Sequence, residues 1–321
     1  MKKVFRPLAW ILVLLSVLTL GFSRCQQEQP EPDALAAEKE ALWRNLLAAR
    51  PDANEPVGDP ALSVTFLDVG QGDCVLLVAP DGKTMLVDAG PVDAFPAIKA
   101  ALSERGITAL DVVVATHPHE DHIGSMAAVL DAYAVGSFYT IADEQPTSWY
   151  AAMRSALERS GCPVYSAEAD GVIPWSDACT VTVLNPDPGY DYGTDELNDR
   201  SAVLHVRYGD TAVLLTGDAE YAAERRMLDT YPKSMLRADV LKLGHHGSAS
   251  STGYSFFLAV DPDYAVASCG KENAYGHPHL ETLSLLYETH TAFYRTDYDG
   301  TITFRLDGTR VSVEPIRKEN P

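Results

Sequence analysis

Residues 110–122 read Leu-Asp-Val-Val-Val-Ala-Thr-His-Pro-His-Glu-Asp-His: a nearly continuous apolar run that passes directly into His117, His119, Asp121 and His122. A short apolar run without alternation fits a strand buried on both faces. Leu110 to Ala115 is therefore expected to be an interior strand that delivers polar side chains at its carboxyl end. Three imidazoles and a carboxylate packed so densely form a set of first-row metal ligands, with imidazole suited to zinc. The carboxylate of Asp121 can hold a second ion or take a proton from bound water. A solvated polar loop would explain the composition but not its position directly behind an apolar strand.

The same arrangement recurs downstream. Leu214-Leu215-Thr216 runs into Gly217-Asp218, and Val240-Leu241-Lys242-Leu243 runs into Gly244-His245-His246-Gly247. A fourth polar element is Tyr275-Gly276-His277-Pro278-His279. Taken alone, Asp218 reads equally well as a helix N-cap; beside the histidine loop the metal reading is the stronger one.

Short β-rich runs at Leu62–Val69, Cys74–Ala79 and Thr84–Asp88, joined by Gly-Gln-Gly-Asp and Pro-Asp-Gly-Lys turns, predict an antiparallel meander. Helical stretches near 94–105, 125–132 and 149–160 alternate with strands near 110–115 and 135–141, and strands return at 202–208, 211–216, 240–243 and 264–268. A closing hairpin is expected across Asp307-Gly308. Two β-rich halves with helices outside predict an α/β sandwich of two facing mixed sheets.

The amino terminus pairs Lys2, Lys3 and Arg6 with an apolar run from Leu8 to Phe22, the pattern of an export signal or anchor over residues 1–24. Cys25 follows, but Arg24 stands where a lipoprotein signal has a small residue. Residues 25–61, rich in Gln, Glu, Pro and Ala, read as a tether that would place a domain at 62–316 beyond the membrane surface, with no stable protein partner implied. With 25 Lys+Arg against 45 Asp+Glu the net charge is −20, which argues against a sequence-independent DNA-binding module. It does not argue against an enzyme whose bound cations dominate the local field. The five cysteines include no C-x-x-C pair; Cys162 and Cys179 could bridge in an oxidising compartment or remain isolated thiols.

The Thr116–His122 segment resembles the signature of the metallo-β-lactamase superfamily. Phe66-Leu67-Asp68-Val69-Gly70-Gln71-Gly72-Asp73 and Met85-Leu86-Val87-Asp88-Ala89-Gly90 are similar to the opening strands of one branch, the C-terminal domain of the competence protein ComEC and its free-standing exported relatives. The resemblance implies an αβ/βα sandwich and two divalent metal ions, zinc or manganese. It implies His117, His119 and Asp218 on the first ion, and Asp121, His122, a bridging Asp218 and His245 on the second. His246 is then expected behind the ligand or facing substrate, although the reverse order of the two histidines fits the same sequence. His277 is expected either to ligate metal or to donate a proton to the leaving group. The superfamily's usual further histidine is missing: Asn198 stands at that place, and His205 reads as an ordinary strand residue. The implied activity is hydrolysis by water activated between the metals, most naturally of a phosphodiester in DNA or a cell-surface phosphate ester. A carboxylic ester, lactone or β-lactam substrate and a non-catalytic metal-stabilised binding module are the rival readings.

Overall fold

The computed structural model describes residues 32–51, 55–193 and 197–314, so the expected export segment and Cys25 lie outside the described residues. The chain divides into two compact units, Met1–Ala41 and Leu42–Pro321, and the second carries all the strands and the site. Helix α1 spans Pro32–Ala48. The strands are β1 (Leu62–Phe66), β2 (Val75–Val78), β3 (Thr84–Val87), β4 (Ala109–Ala115), β5 (Ala134–Thr140), β6 (Val164–Ser166), β7 (Thr180–Asn185), β8 (Val203–Tyr208), β9 (Thr211–Leu215), β10 (Val240–Lys242), β11 (Tyr264–Ala267), β12 (Ala292–Arg295), β13 (Ile302–Leu306) and β14 (Val311–Val313).

They form two mixed sheets, ordered β14-β13-β1-β2-β3-β4-β5-β6 and β12-β11-β10-β9-β8-β7. Strands β3 to β6 run parallel, as do β9 to β12, whereas the outer hairpins are antiparallel. Alternation explains the layers. In β4, Val112 and Val114 enter the core between the sheets with Val64, Phe66, Leu204 and Val213, while Val113 and Ala115 pack under the helices on the outer face. Both faces are buried, which is why this strand is written without alternation.

The helices covering the first sheet include α2 (Phe95–Glu104), α3 (Glu120–Ile123), α4 (Met126–Ala132) and α5 (Ser148–Ser160). In α5 the Thr147 side chain accepts from the Tyr150 amide, Gly161 ends the helix in the left-handed region, and Met153, Ala156 and Leu157 form the buried stripe. Helices α6 (Tyr221–Thr230), α7 (Lys233–Leu236), α8 (Tyr254–Val260), α9 (Leu280–Glu288) and α10 (Thr296–Asp299) follow, with short 3-10 turns at Asn198–Arg200 and Gly244–Gly247. The result is the αβ/βα sandwich expected from the sequence.

The tether reading of residues 25–61 fails for its later part. Trp43 and Leu46 are buried in the core that covers the second sheet, and Arg50 donates to Asp299 and to the Phe293 carbonyl. Trp43 meets Phe293 edge-on at 5.7 Å. Apolar side chains three residues apart on a helix were the signal of a packed face that its acidic, alanine-rich composition masked. Trp43→Ala is expected to lower unfolding free energy by about 3 kcal/mol in denaturant titration; a change within about 0.5 kcal/mol would restore the tether reading. The described cysteines Cys74, Cys162, Cys179 and Cys269 are all free thiols, so Cys162 and Cys179 do not bridge. Among the described residues no helix is long and apolar enough to cross a membrane.

Candidate metal centre

Parallel neighbours β9 and β10 end on the same side of the second sheet, and the loop after β4 of the first sheet meets theirs at one rim. There Asp218 Oδ2 lies 3.2 Å from His122 Nε2, 3.5 Å from His246 Nε2, 3.8 Å from His245 Nε2 and 3.9 Å from His117 Nε2. His119 joins from the exposed side, its Nδ1 3.0 Å from His117 Nε2. Asp121 Oδ2 stands 3.1 Å from His246 Nε2. One ligand atom each from Asp121, His122, Asp218 and His246 falls within a mutual 4.8 Å.

Three of the imidazoles are held from behind. Asp88, in the left-handed region at φ 60°, accepts from the Thr116 amide at 2.8 Å and from its hydroxyl at 2.7 Å, and sits 2.8 Å from His122 Nδ1. Ser268 O is 2.8 Å from His246 Nδ1, and Glu220 Oε1 is 2.9 Å from His245 Nδ1. With Nδ1 so engaged, Nε2 is directed at Asp218, the carboxylate–histidine arrangement that orients metal ligands.

The adjacent histidines reach different neighbours because both are left-handed, His245 at φ 45° and His246 at φ 56°. Such backbone is unfavourable for residues with a β-carbon and tends to persist where function fixes it. His246 is buried within the four-residue set, whereas His245 is 27% exposed at the side chain and faces Glu220 and Asn198. The side chains thus place His246, rather than His245, with Asp121 and His122, the reverse of the favoured sequence order. His277 sits at the rim, its ring centroid 5.3 Å from His245 and 6.0 Å from His246. Burial, with His246, His245 and His279 around it, pushes its pKa down to about 3, so the ring is neutral and poorly suited to donating a proton. His205 lies elsewhere, bonded through Nε2 to the Arg237 carbonyl at 2.9 Å.

The electrostatics suit cations. Burial pushes Asp218 upward, but His122 and His246 outweigh it and hold the carboxyl well below its ordinary range. Burial likewise opposes ionisation of Asp121, and His122 and His246 again prevail. Burial depresses His122 and His246, yet the carboxylates led by Asp218 raise both well above 6.5. Burial keeps His117 neutral. Three buried polar atoms of the centre, His122 Nε2, Asp218 Oδ1 and Asn198 Oδ1, have no hydrogen-bond partner. The 3.2 Å approach of His122 Nε2 to Asp218 is therefore proximity without hydrogen-bond alignment, an arrangement that a shared cation would suit. The mixed nitrogen and oxygen donors fit zinc-like divalent ions.

Sequence reasoning missed Asp73, Asp88, Glu220 and Lys242 as supports, since each looks like an ordinary turn, cap or strand residue until its partners are known. Close backbone approach beneath the metal loop does not occur at Gly90, whose added β-carbon would meet Ala94 and Val69 at 2.9 Å. Gly72, against the Asp121 carbonyl, and Gly124, against Pro91 and Val92, make that approach.

The chain is 30% identical over 269 residues to ComE operon protein 3 of Bacillus subtilis (strain 168), covering 75% of this chain and 33% of that protein. It is 32% identical over 282 residues to the competence protein ComA of Neisseria gonorrhoeae, covering 86% and 37% respectively. It thus spans about a third of the length of these curated relatives. The crystal structure of CmlA, a diiron β-hydroxylase from Streptomyces venezuelae, superposes with a TM-score of 0.50 at 14% identity, over 78% of this chain and 55% of that one, a likeness of fold alone. The model of the metallo-beta-lactamase superfamily matches residues 67–271, across the sheets and the loops that carry the centre, and the chain belongs to that superfamily.

Proposed function

We propose that the protein is a two-metal hydrolase of phosphodiesters. The observation that carries this reading is the convergence of four imidazole Nε2 atoms on Asp218 Oδ2, within 3.9 Å. Asp121, His122 and His246 would hold one ion, and His117, His119 and His245 the other, with Asp218 shared. His245 would thereby make good the histidine that Asn198 replaces. Bound there, two divalent ions, zinc or manganese, would bring the pKa of water from about 15.7 toward about 7 and draw charge off an ester oxygen. Asp121, held strongly ionised, suits ligation better than proton uptake. His277 forms a neutral wall over His245, where it can hydrogen-bond an ester group.

The choice of phosphodiester rests on similarity to competence proteins, and the rivals are carboxylic esters, lactones and β-lactams. Hydrolysis of bis-p-nitrophenyl phosphate, p-nitrophenyl acetate and a chromogenic cephalosporin by the zinc- and manganese-loaded protein decides among them. Preference for the diester is expected; preference for either acyl substrate overturns the assignment. Tight metal binding without any turnover would favour a binding module. By the charge pattern of residues 1–24, the proposed site of action is outside the cytoplasmic membrane. Protease added to intact spheroplasts should digest the domain; protection until lysis would refute that location.

Metal uptake should also release protons. His122 and His246 are both raised, so their pairing with carboxylates stabilises the metal-free fold fully below pH 6.5. That contribution disappears as pH rises through the raised values, whereas metal affinity increases with pH as the rings deprotonate. Calorimetric titration with zinc at neutral pH is expected to show release of about two protons, read as a binding heat that varies with buffer ionisation enthalpy. A buffer-independent heat would contradict this.

A further inference from the structure

Lys242 occupies a place where the strand pattern calls for an apolar side chain. It shares a face of β10 with Val240, which packs in the core between the sheets, yet Lys242 is 1% exposed. Its ammonium has three acceptors to match its three protons: Asp73 Oδ2 at 2.9 Å, the Leu243 carbonyl at 2.8 Å and the Gly217 carbonyl at 3.3 Å.

The acceptors belong to three different chain segments. Gly217 immediately precedes Asp218, and Leu243 precedes the Gly244-His245-His246 turn. Asp73 is tied by its amide to the Asp121 carbonyl at 3.1 Å and by its carbonyl to the Gly90 amide at 2.8 Å. Its second carboxylate oxygen lies 3.3 Å from His246 Nδ1 without a hydrogen bond, the closer acceptor for that ring nitrogen being Ser268 O. Asp73 therefore hydrogen-bonds through Lys242 and the backbone, with a longer ionic contact to His246 Nδ1. A buried ammonium that loses its partners is strongly destabilising, so the segments around it are held in register.

We propose that Lys242 is a positioning residue, an internal cation with Asp73 as counter-ion, that locks the loops carrying Asp218, His246 and Asp121 into ligand geometry before metal arrives. This rests on the metal-hydrolase reading above. A charge where alternation demands a hydrocarbon is the kind of local conflict that functional sites retain.

The test is titration of the metal-free protein with zinc and with manganese, comparing wild type, Lys242→Met and the double variant Asp73→Asn/Lys242→Met, with far-ultraviolet circular dichroism and thermal unfolding as controls. A folded Lys242→Met protein is expected to bind metal about 10- to 100-fold more weakly, the range seen for groups that orient ligands. The double variant, free of the uncompensated carboxylate, should regain thermal stability without regaining metal affinity; if the single variant does not fold, the double variant carries the comparison. A folded variant that binds both metals as tightly as wild type overturns the proposal, as does failure of both variants to fold, which would make the pair a general core element. Wild-type protein that binds no metal would instead overturn the metal-hydrolase reading.

Discussion

Asp218→Ala is expected to empty both metal positions, taking bound zinc from about two equivalents to well below one and lowering turnover of the preferred ester by at least about a thousandfold. Among the described residues its Oδ2 is the one carboxylate oxygen within 3.9 Å of four imidazole Nε2 atoms, so no neighbouring side chain is placed to replace it for either ion. Loss of the carboxylate also removes the main counter-charge for His122 and His246. His205→Ala is the matched control, because that ring bonds only the Arg237 carbonyl among the described partners and should leave metal content unchanged. Elemental analysis after reconstitution and dialysis reads both variants. Equal loss in the two would mean that the centre has been misplaced.

Asp88→Ala is the second large effect, and it should appear in stability as well as in metal binding. The carboxylate accepts from the buried Thr116 amide and hydroxyl and pairs with His122. Removing it leaves a buried backbone donor and a buried imidazole unpaired, which should cost about 3 kcal/mol in the metal-free protein. His122 would lose its orientation, and metal affinity should fall by about 10- to 100-fold. Asp88→Asn retains the shape and one acceptor, so it should recover part of the stability but little of the affinity. Denaturant midpoints for the two variants within error of wild type would show that Thr116 and His122 find other partners.

The fold was legible in the sequence to the extent that its signals are local. Leu110–Ala115 and Leu214–Thr216 could be read as strands because burial on both faces removes alternation, and a short apolar run followed by polar residues needs no knowledge of distant partners. The closing hairpin is likewise written in Asp307-Gly308 between β13 and β14. Trp43 and Leu46 were harder to read, since the acidic, alanine-rich composition of their helix masks their apolar spacing and does not say which core it covers.

The residue types that can bind metal, and their delivery at strand ends, follow from the sequence alone: His117, His119, Asp121 and His122 are too close together to be separated by any fold. Which of His245 and His246 turns inward could only be decided in three dimensions, because it depends on two consecutive left-handed residues whose conformation has no sequence signature without glycine. The supports show the same limit. Asp88 lies 34 residues from His122, and Lys242 meets an aspartate from a distant turn. Such pairings depend on how β3, β4, β9 and β10 stack their ends at one rim, a tertiary fact that places groups remote in sequence within hydrogen-bond distance of one another.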